Sequence, residues 1–306
     1  MTTRDPQTLE QNVSPNPDNF SANLDKRYTI DIIFAIAVWT AVVIAIIVLA
    51  SLLIDVAIDG LPTLDWGFLS NFPSRKPEQA GMKSAIFGSI WMMVTVAVVA
   101  FPLGVGAGIF LEEFAADTWF AKLIEININN LAGVPSIIYG LLGLMVFVRL
   151  LEPITGGRSL LSGALTESLL ILPIIIVATR EALRAVPDSL RQAGFALGAT
   201  RWQVVREQVF PIAIPGILTG MILALSRAIG ETAPLITIGA LTFISFLPEN
   251  LQSPFTVMPI QIYNWVSRPQ TEFHDIAASG IIVLMVMLLV MNACAIFLRN
   301  KFQRRF

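Results

Sequence analysis

The stretch Ile30–Ile54, IDIIFAIAVWTAVVIAIIVLASLLI, decides the class of fold. It holds 25 residues, and about 20 apolar residues are enough for a helix to cross the hydrocarbon core of a bilayer. Working outward, runs of the same kind recur at about Ala85–Phe110, Ile124–Val148, Leu160–Ala178, Ile212–Leu235 and Ile276–Leu298. The expectation is an all-α integral membrane protein of six transmembrane helices. The third and fourth runs carry Asn, Pro and Glu, which weaken their hydropathy, and Pro135 should kink the third.

Composition agrees. Of 306 residues, 55% are hydrophobic and 14% charged, with a mean hydropathy of +0.72, where a soluble domain carries about a quarter charged residues. One cysteine, Cys294, and one histidine, His274, exclude a disulfide framework and any Cys- or His-based metal cage. No metal or cofactor is expected, and both residues should tolerate substitution. Residues 1–27 are polar, lack the pattern of a cleavable signal peptide, and read as a flexible cytoplasmic tail ahead of a permease domain over 28–306.

Basic residues orient the spans. Lys26, Arg27, Lys122, Arg180, Arg184, Arg191, Arg201, Arg206, Arg299, Lys301, Arg304 and Arg305 fall on one side. Only Arg75, Lys76, Lys83, Arg149, Arg158 and Arg268 fall on the other. The positive-inside rule puts both termini and the loop at about 181–210 in the cytoplasm. Beyond Pro234, the apolar run to Leu247 is too short to span and reads as a surface or re-entrant segment on the outer side. Tyr263 and Trp265 are expected to place their rings among outer headgroups.

The cytoplasmic loop predicts a helical hairpin. Asp188 is a candidate N-cap for a helix over Ser189–Leu197, and Gly198 supplies a left-handed end. Thr200 and Gln203 have capping-box spacing, so a second helix should start at Arg201 and stop near Phe210, ahead of Pro211 and Pro215. Phe195, Leu197, Trp202, Val204 and Val205 stand among polar neighbours. Such a hairpin is either a connector lying against the bundle or leaflet, or a docking element for a cytoplasmic partner. Its short membrane tethers and few basic residues argue against groove binding, so no nucleic acid is expected.

In the fifth run, Arg227 and Glu231 are four apart, on one helical face. At 1.5 Å per residue, Arg227 lies roughly 20 Å beyond the start of the span, where an unpaired charge is costly. The pair either fixes helix packing or presents a guanidinium, whose forked donors suit a tetrahedral oxyanion, to a polar path. Gly216, Gly220 and Gly230 allow close helix approach.

Four blocks carry a family resemblance. Gln192-Ala193-Gly194, Gly198 and Gln208-Val209-Phe210-Pro211 have the spacing of the EAA loop of ABC-importer permeases. Gln192 stands where Glu is common there, and Gly194 replaces the second Ala. Asn130–Gly140 (NLAGVPSIIYG) and Arg227–Leu235 (RAIGETAPL), with Pro259–Trp265 (PIQIYNW), resemble the PstA-type permeases of the bacterial high-affinity phosphate system. The likeness runs from the second span to the C-terminus.

That resemblance implies a type I importer permease fold in the bacterial inner membrane. It implies a PstC-like second permease, two PstB-like ATPase subunits and a PstS-like phosphate-binding protein as partners in the lipid bilayer. Gln192, Ala193, Gly194, Leu197, Gly198 and Thr200 would couple to the ATPase. Arg227 and Glu231, with Ser136 and Tyr139, would line the substrate path, to which Asn127, Asn129 and Asn130 are candidates to contribute. The chain has no GxxxxGK[ST] loop, so it is not expected to be an enzyme and its energy must come from a partner. The alternatives are a permease for another oxyanion, such as molybdate or sulfate, and a secondary anion transporter, although no inverted repeat is found. A membrane enzyme is poorly matched by the sparse Glu167 and Glu231.

Overall fold

The computed structural model describes residues 24–115 and 118–303, which contain helices and no strand. They fall into two units, one ending at Asp55 and the other starting at Val56. Most of the expected N-terminal tail, and Arg304 and Arg305, lie outside the described residues. The first unit is carried by α1 (Leu24–Gly60). Its apolar side chains, Ile33, Phe34, Trp39 and Ile47 among them, are exposed. The hydroxyls of Thr40 and Ser51 donate back to the carbonyls of Ile36 and Val48, so these two polar groups of a lipid-type helix are satisfied within it.

The second unit comprises α2 (Trp66–Ser70), α3 (Lys83–Ile109), α4 (Trp119–Ala132), α5 (Ser136–Gly143), α6 (Glu152–Thr155), α7 (Leu160–Arg184), α8 (Asp188–Ala196), α9 (Arg201–Val204), α10 (Phe210–Ala228), α11 (Ala233–Ile238), α12 (Met258–Val266) and α13 (Thr271–Gln303). The axis is α7. Its polar residues Ser162, Thr166, Glu167, Ser168 and Thr179 are all buried, so the side chains that weaken its hydropathy are those turned inward. Small residues let its neighbours approach. A side chain at Gly104 or Gly108 of α3 would overlap Ile175 or Thr179, and one at Gly216 or Gly220 of α10 would overlap Ala182 or Ala178. Close backbone approach of this kind is how helices associate where lipid offers no hydrophobic drive. α13 joins α10 through polar contacts, Ser226 Oγ donating to Asn292 Oδ1 at 2.7 Å and Arg299 to Thr219.

Among the described residues, five helices are long and apolar enough to cross a membrane, and a bent pair makes a sixth span if counted as one. That pair is the third run of the sequence. α4 and α5 meet at 105° across Gly133-Val134-Pro135, a far sharper break than a proline kink. Proline disfavours helical geometry at the residue before it, and Gly133 tolerates the turn. Tyr139 Oη donates to the Leu131 carbonyl at 2.7 Å and ties the two halves across the corner.

The fifth run also departs from expectation at both ends. Helix does not stop before Pro211. The chain passes from α9 through one widened turn, Val205–Val209, straight into α10. A π-type turn supplies the slack for a residue that cannot donate and whose ring crowds the preceding turn. At the far end α10 stops at Ala228, and Glu231 lies beyond it in the link to α11. Gly230 sits in that link and packs against no neighbouring helix.

Around the start of α3 and along α12, Phe68, Met82, Met258, Ile262, Trp265, Phe273 and Ile276 form a second apolar cluster. Trp265 is fully buried there, 5.8 Å from Phe68 between ring centres, rather than among headgroups. Met258, Ile262 and Trp265 share one face of α12, while Tyr263 is on the other and exposed. Burying each of these large side chains contributes about 1.5–3 kcal/mol.

Candidate functional site

The hairpin over 188–210 forms as the sequence indicates, with one correction. α8 begins at Asp188, but Pro187 holds the cap position and no side chain caps it. Asp188 instead accepts from Arg191 at 3.0 Å. Gly198 adopts φ +79° and turns the chain, and Thr200 and Gln203 close a complete capping box on α9. The apolar residues then divide by role. Val204 and Val205 are buried, and Phe195, Leu197 and Trp202 are exposed. Gly194 belongs with the buried set, since a side chain there would run into Val204. Gln192, Ala193, Leu197, Gly198 and Thr200 are exposed. Among Phe195, Leu197 and Trp202, Leu197 is the most open, at 89% relative exposure.

What holds the hairpin is a set of ion pairs that sequence reading missed. α3 ends in a widened turn, Phe110–Phe114, that carries Glu112 and Glu113. Glu113 is buried and accepts from Arg191 of α8 at 2.7 Å. Arg191 also donates to the carbonyls of Leu183 and Val186 at the end of α7. The Glu113 carboxylate at this hydrogen bond raises the Arg191 pKa above its ordinary value. Arg180 joins Glu112 at 3.1 Å and Glu125 of α4 at 3.0 Å, and Arg184 joins Glu112 at 2.8 Å. Three spans and the hairpin therefore share one network. Phe114 packs against Trp202, 6.2 Å between ring centres, and adds an apolar tie. The adjacent acids at the end of an apolar run, on the same side as three arginines, were the signal available.

At the other end of the spans, the two family blocks meet. Gly140 of α5 lies so close to Pro234 and Thr237 of α11 that any side chain there would overlap them. Gly143 stands in the same relation to Thr166 of α7. Arg227, in the last turn of α10, donates through Nε to Glu231 at 3.2 Å. Although Glu231 lies past the helix end, the turn keeps the two in reach. The arginine side chain is 45% exposed and the glutamate 18%, so the guanidinium presents an open edge while its partner is largely covered.

The remaining expected site residues separate. Tyr139 is buried with its hydroxyl committed to Leu131. Ser136 starts α5 and is half-buried. Asn127, Asn129 and Asn130 lie exposed along α4, Asn127 donating to the Leu123 carbonyl of its own helix. Among the described residues, no cluster of three metal-ligating side chains occurs.

Residues 100–306 match the family model described as "Binding-protein-dependent transport system inner membrane component". The probable ABC transporter permease protein YqgI of Bacillus subtilis is 33% identical over 271 residues, covering 84% of this chain and 91% of that protein. The phosphate transport system permease protein PstA of Haemophilus influenzae is 32% identical over 269 residues, covering 87% of this chain and 92% of that one. Among solved structures, a bacterial ABC transporter that imports the acidic polysaccharide alginate superposes with a TM-score of 0.62 at 16% identity, over 91% of this chain and 98% of that chain.

Proposed function

From the premise that the chain belongs to the family of binding-protein-dependent transport system inner membrane components, with the fold of type I ABC-importer permeases, we propose that it imports inorganic phosphate. It does so as one of two permease subunits that form the path between them, the other being PstC-like. The observation that carries this reading is Arg227, open on one edge at the broken end of α10 and steadied by Glu231 from behind. A fork of guanidinium donors fits a tetrahedral oxyanion, and the covered carboxylate is placed to hold the arginine without meeting the anion first. One exposed guanidinium makes a weak site, and conduction requires release as much as binding.

The exposed side of the hairpin, with Gln192, Ala193, Phe195 and Leu197, docks a PstB-like ATPase, one of two in the assembly. Its motion reaches the spans through Arg191–Glu113 and the Arg180–Glu112–Glu125 links. A PstS-like binding protein delivers phosphate on the outer side. Both termini and the hairpin lie in the cytoplasm, and the chain resides in the inner membrane. Support for phosphate over other oxyanions comes from the relatives named for phosphate transport. The test is uptake of labelled phosphate, with sulfate and molybdate as competitors, into vesicles holding both permeases, the ATPase and the binding protein. ATP-dependent phosphate uptake that neither competitor suppresses supports the reading. Uptake that persists without the ATPase, or that carries molybdate instead, rejects it.

A further inference from the structure

Glu167 of α7 is fully buried, and neither of its carboxyl oxygens has a hydrogen-bond partner among the described residues. A carboxyl group left in that condition is costly in any interior, and more so inside a membrane. Local packing gives no reason for it, because Leu170 and Ile171, one turn on, fill similar buried positions with hydrocarbon. α10 packs antiparallel to α7, with Gly216 against Ala182 and Gly220 against Ala178, and that register carries the Arg227 end of α10 toward the Glu167 end of α7. Arg227 uses only Nε in its bond to Glu231, and its two terminal nitrogens have no acceptor among the described residues. An unpartnered carboxyl group and a guanidinium with an unpartnered edge therefore sit on neighbouring elements.

We infer that Glu167 is a second seat for the Arg227 guanidinium, a positioning residue that takes the arginine over as the anion leaves it. This rests on the reading of Arg227 as the residue that meets phosphate. The elements suit such a transfer. α7 is the buried axis of the bundle and holds Glu167 still. Arg227 is in the last turn of α10, followed by the non-helical link Ile229–Thr232, so its end of the helix has slack. Glu167 is sealed in this conformation, in the region where α5 closes on α11 at Gly140 and on α7 at Gly143. Parting those contacts uncovers it. Once the terminal nitrogens turn to Glu167, they no longer offer paired donors to the anion. Release then exchanges one charge-assisted set of hydrogen bonds for another instead of leaving the arginine bare.

The experiment measures initial phosphate uptake against concentration in vesicles with the complete transporter, alongside co-purification of the ATPase. Wild type is compared with Glu167→Gln, Glu167→Asp and Arg227→Gln. Glu167→Gln keeps the shape and removes the charge. It should lower Vmax about tenfold or more, as expected for one charge-assisted hydrogen bond, with KM and assembly little changed. Glu167→Asp should recover part of the rate. A merely structural carboxyl group would let the amide transport at the wild-type rate, which overturns the inference. Should Glu167→Gln fail to assemble, Glu167→Asp alone decides: reduced Vmax in an intact complex supports the second seat, and wild-type Vmax rejects it. If Arg227→Gln abolishes uptake while both Glu167 variants transport normally, the second seat falls and the reading of Arg227 stands. If Arg227→Gln transports normally, both fall together.

Discussion

The two ends of the helical bundle hold charge in opposite ways. At the hairpin end, Glu113 and Arg191 are largely buried, and Arg191 has Glu113, Asp188 and two backbone carbonyls as acceptors. At the other end, among the described residues, Arg227 has one acceptor and an open edge, and Glu167 has none. A fully satisfied buried network is stiff, because moving any member strands the rest. An under-satisfied one can exchange partners at small cost. The first arrangement suits the transmission of a push from a partner protein, and the second suits an anion that must come and go.

That contrast can be broken at several points. The largest effect is expected at the stiff end. Arg191→Ala leaves Glu113 buried without its partner and should cost about 3–5 kcal/mol of folding stability, read as a lower unfolding temperature of the purified chain together with loss of ATPase co-purification. Next comes the contact that closes the other end. Gly140→Leu drives a side chain into Pro234 and Thr237 and should cost about 1–3 kcal/mol by overpacking, seen by thermal unfolding in detergent. Tyr139→Phe removes only the tie from α5 to the Leu131 carbonyl, about 1 kcal/mol. If its uptake falls far more than its stability, Tyr139 acts on the path as well as on the corner. Smallest are His274→Gln and Cys294→Ser. Both residues are exposed, and His274 pairs with the Arg268 carbonyl. Each should stay within about 0.5 kcal/mol of wild type, with unchanged uptake.

Much of this arrangement is legible in the sequence, and the failures have physical causes. Length and hydropathy suffice for the continuous spans, since the bilayer imposes them. They say less about the third and fifth runs, where Pro135 and the Gly230 link interrupt helix without interrupting apolarity. Capping chemistry reads the hairpin well because Thr200, Gln203 and Gly198 act locally. Trp265 shows the opposite. Its type suggests an interface, but its place on the same face as Met258 and Ile262 buries it. Glu112, Glu113 and Glu125 escape a linear reading because each is explained only by an arginine more than fifty residues away in sequence. Glu167 reads as a blemish in a hydrophobic run until its carboxyl group is seen to be buried without a partner among the described residues.

The most direct test sets the two ends against each other in one assay, ATP-driven phosphate uptake by the complete transporter, with ATP hydrolysis and assembly followed in parallel. Arg227→Gln should abolish uptake while the ATPase stays bound and active. Arg191→Ala should loosen or lose the ATPase. Normal uptake by Arg227→Gln in an intact complex would contradict the account, leaving Arg227 and Glu231 as a packing pair and the anion path elsewhere.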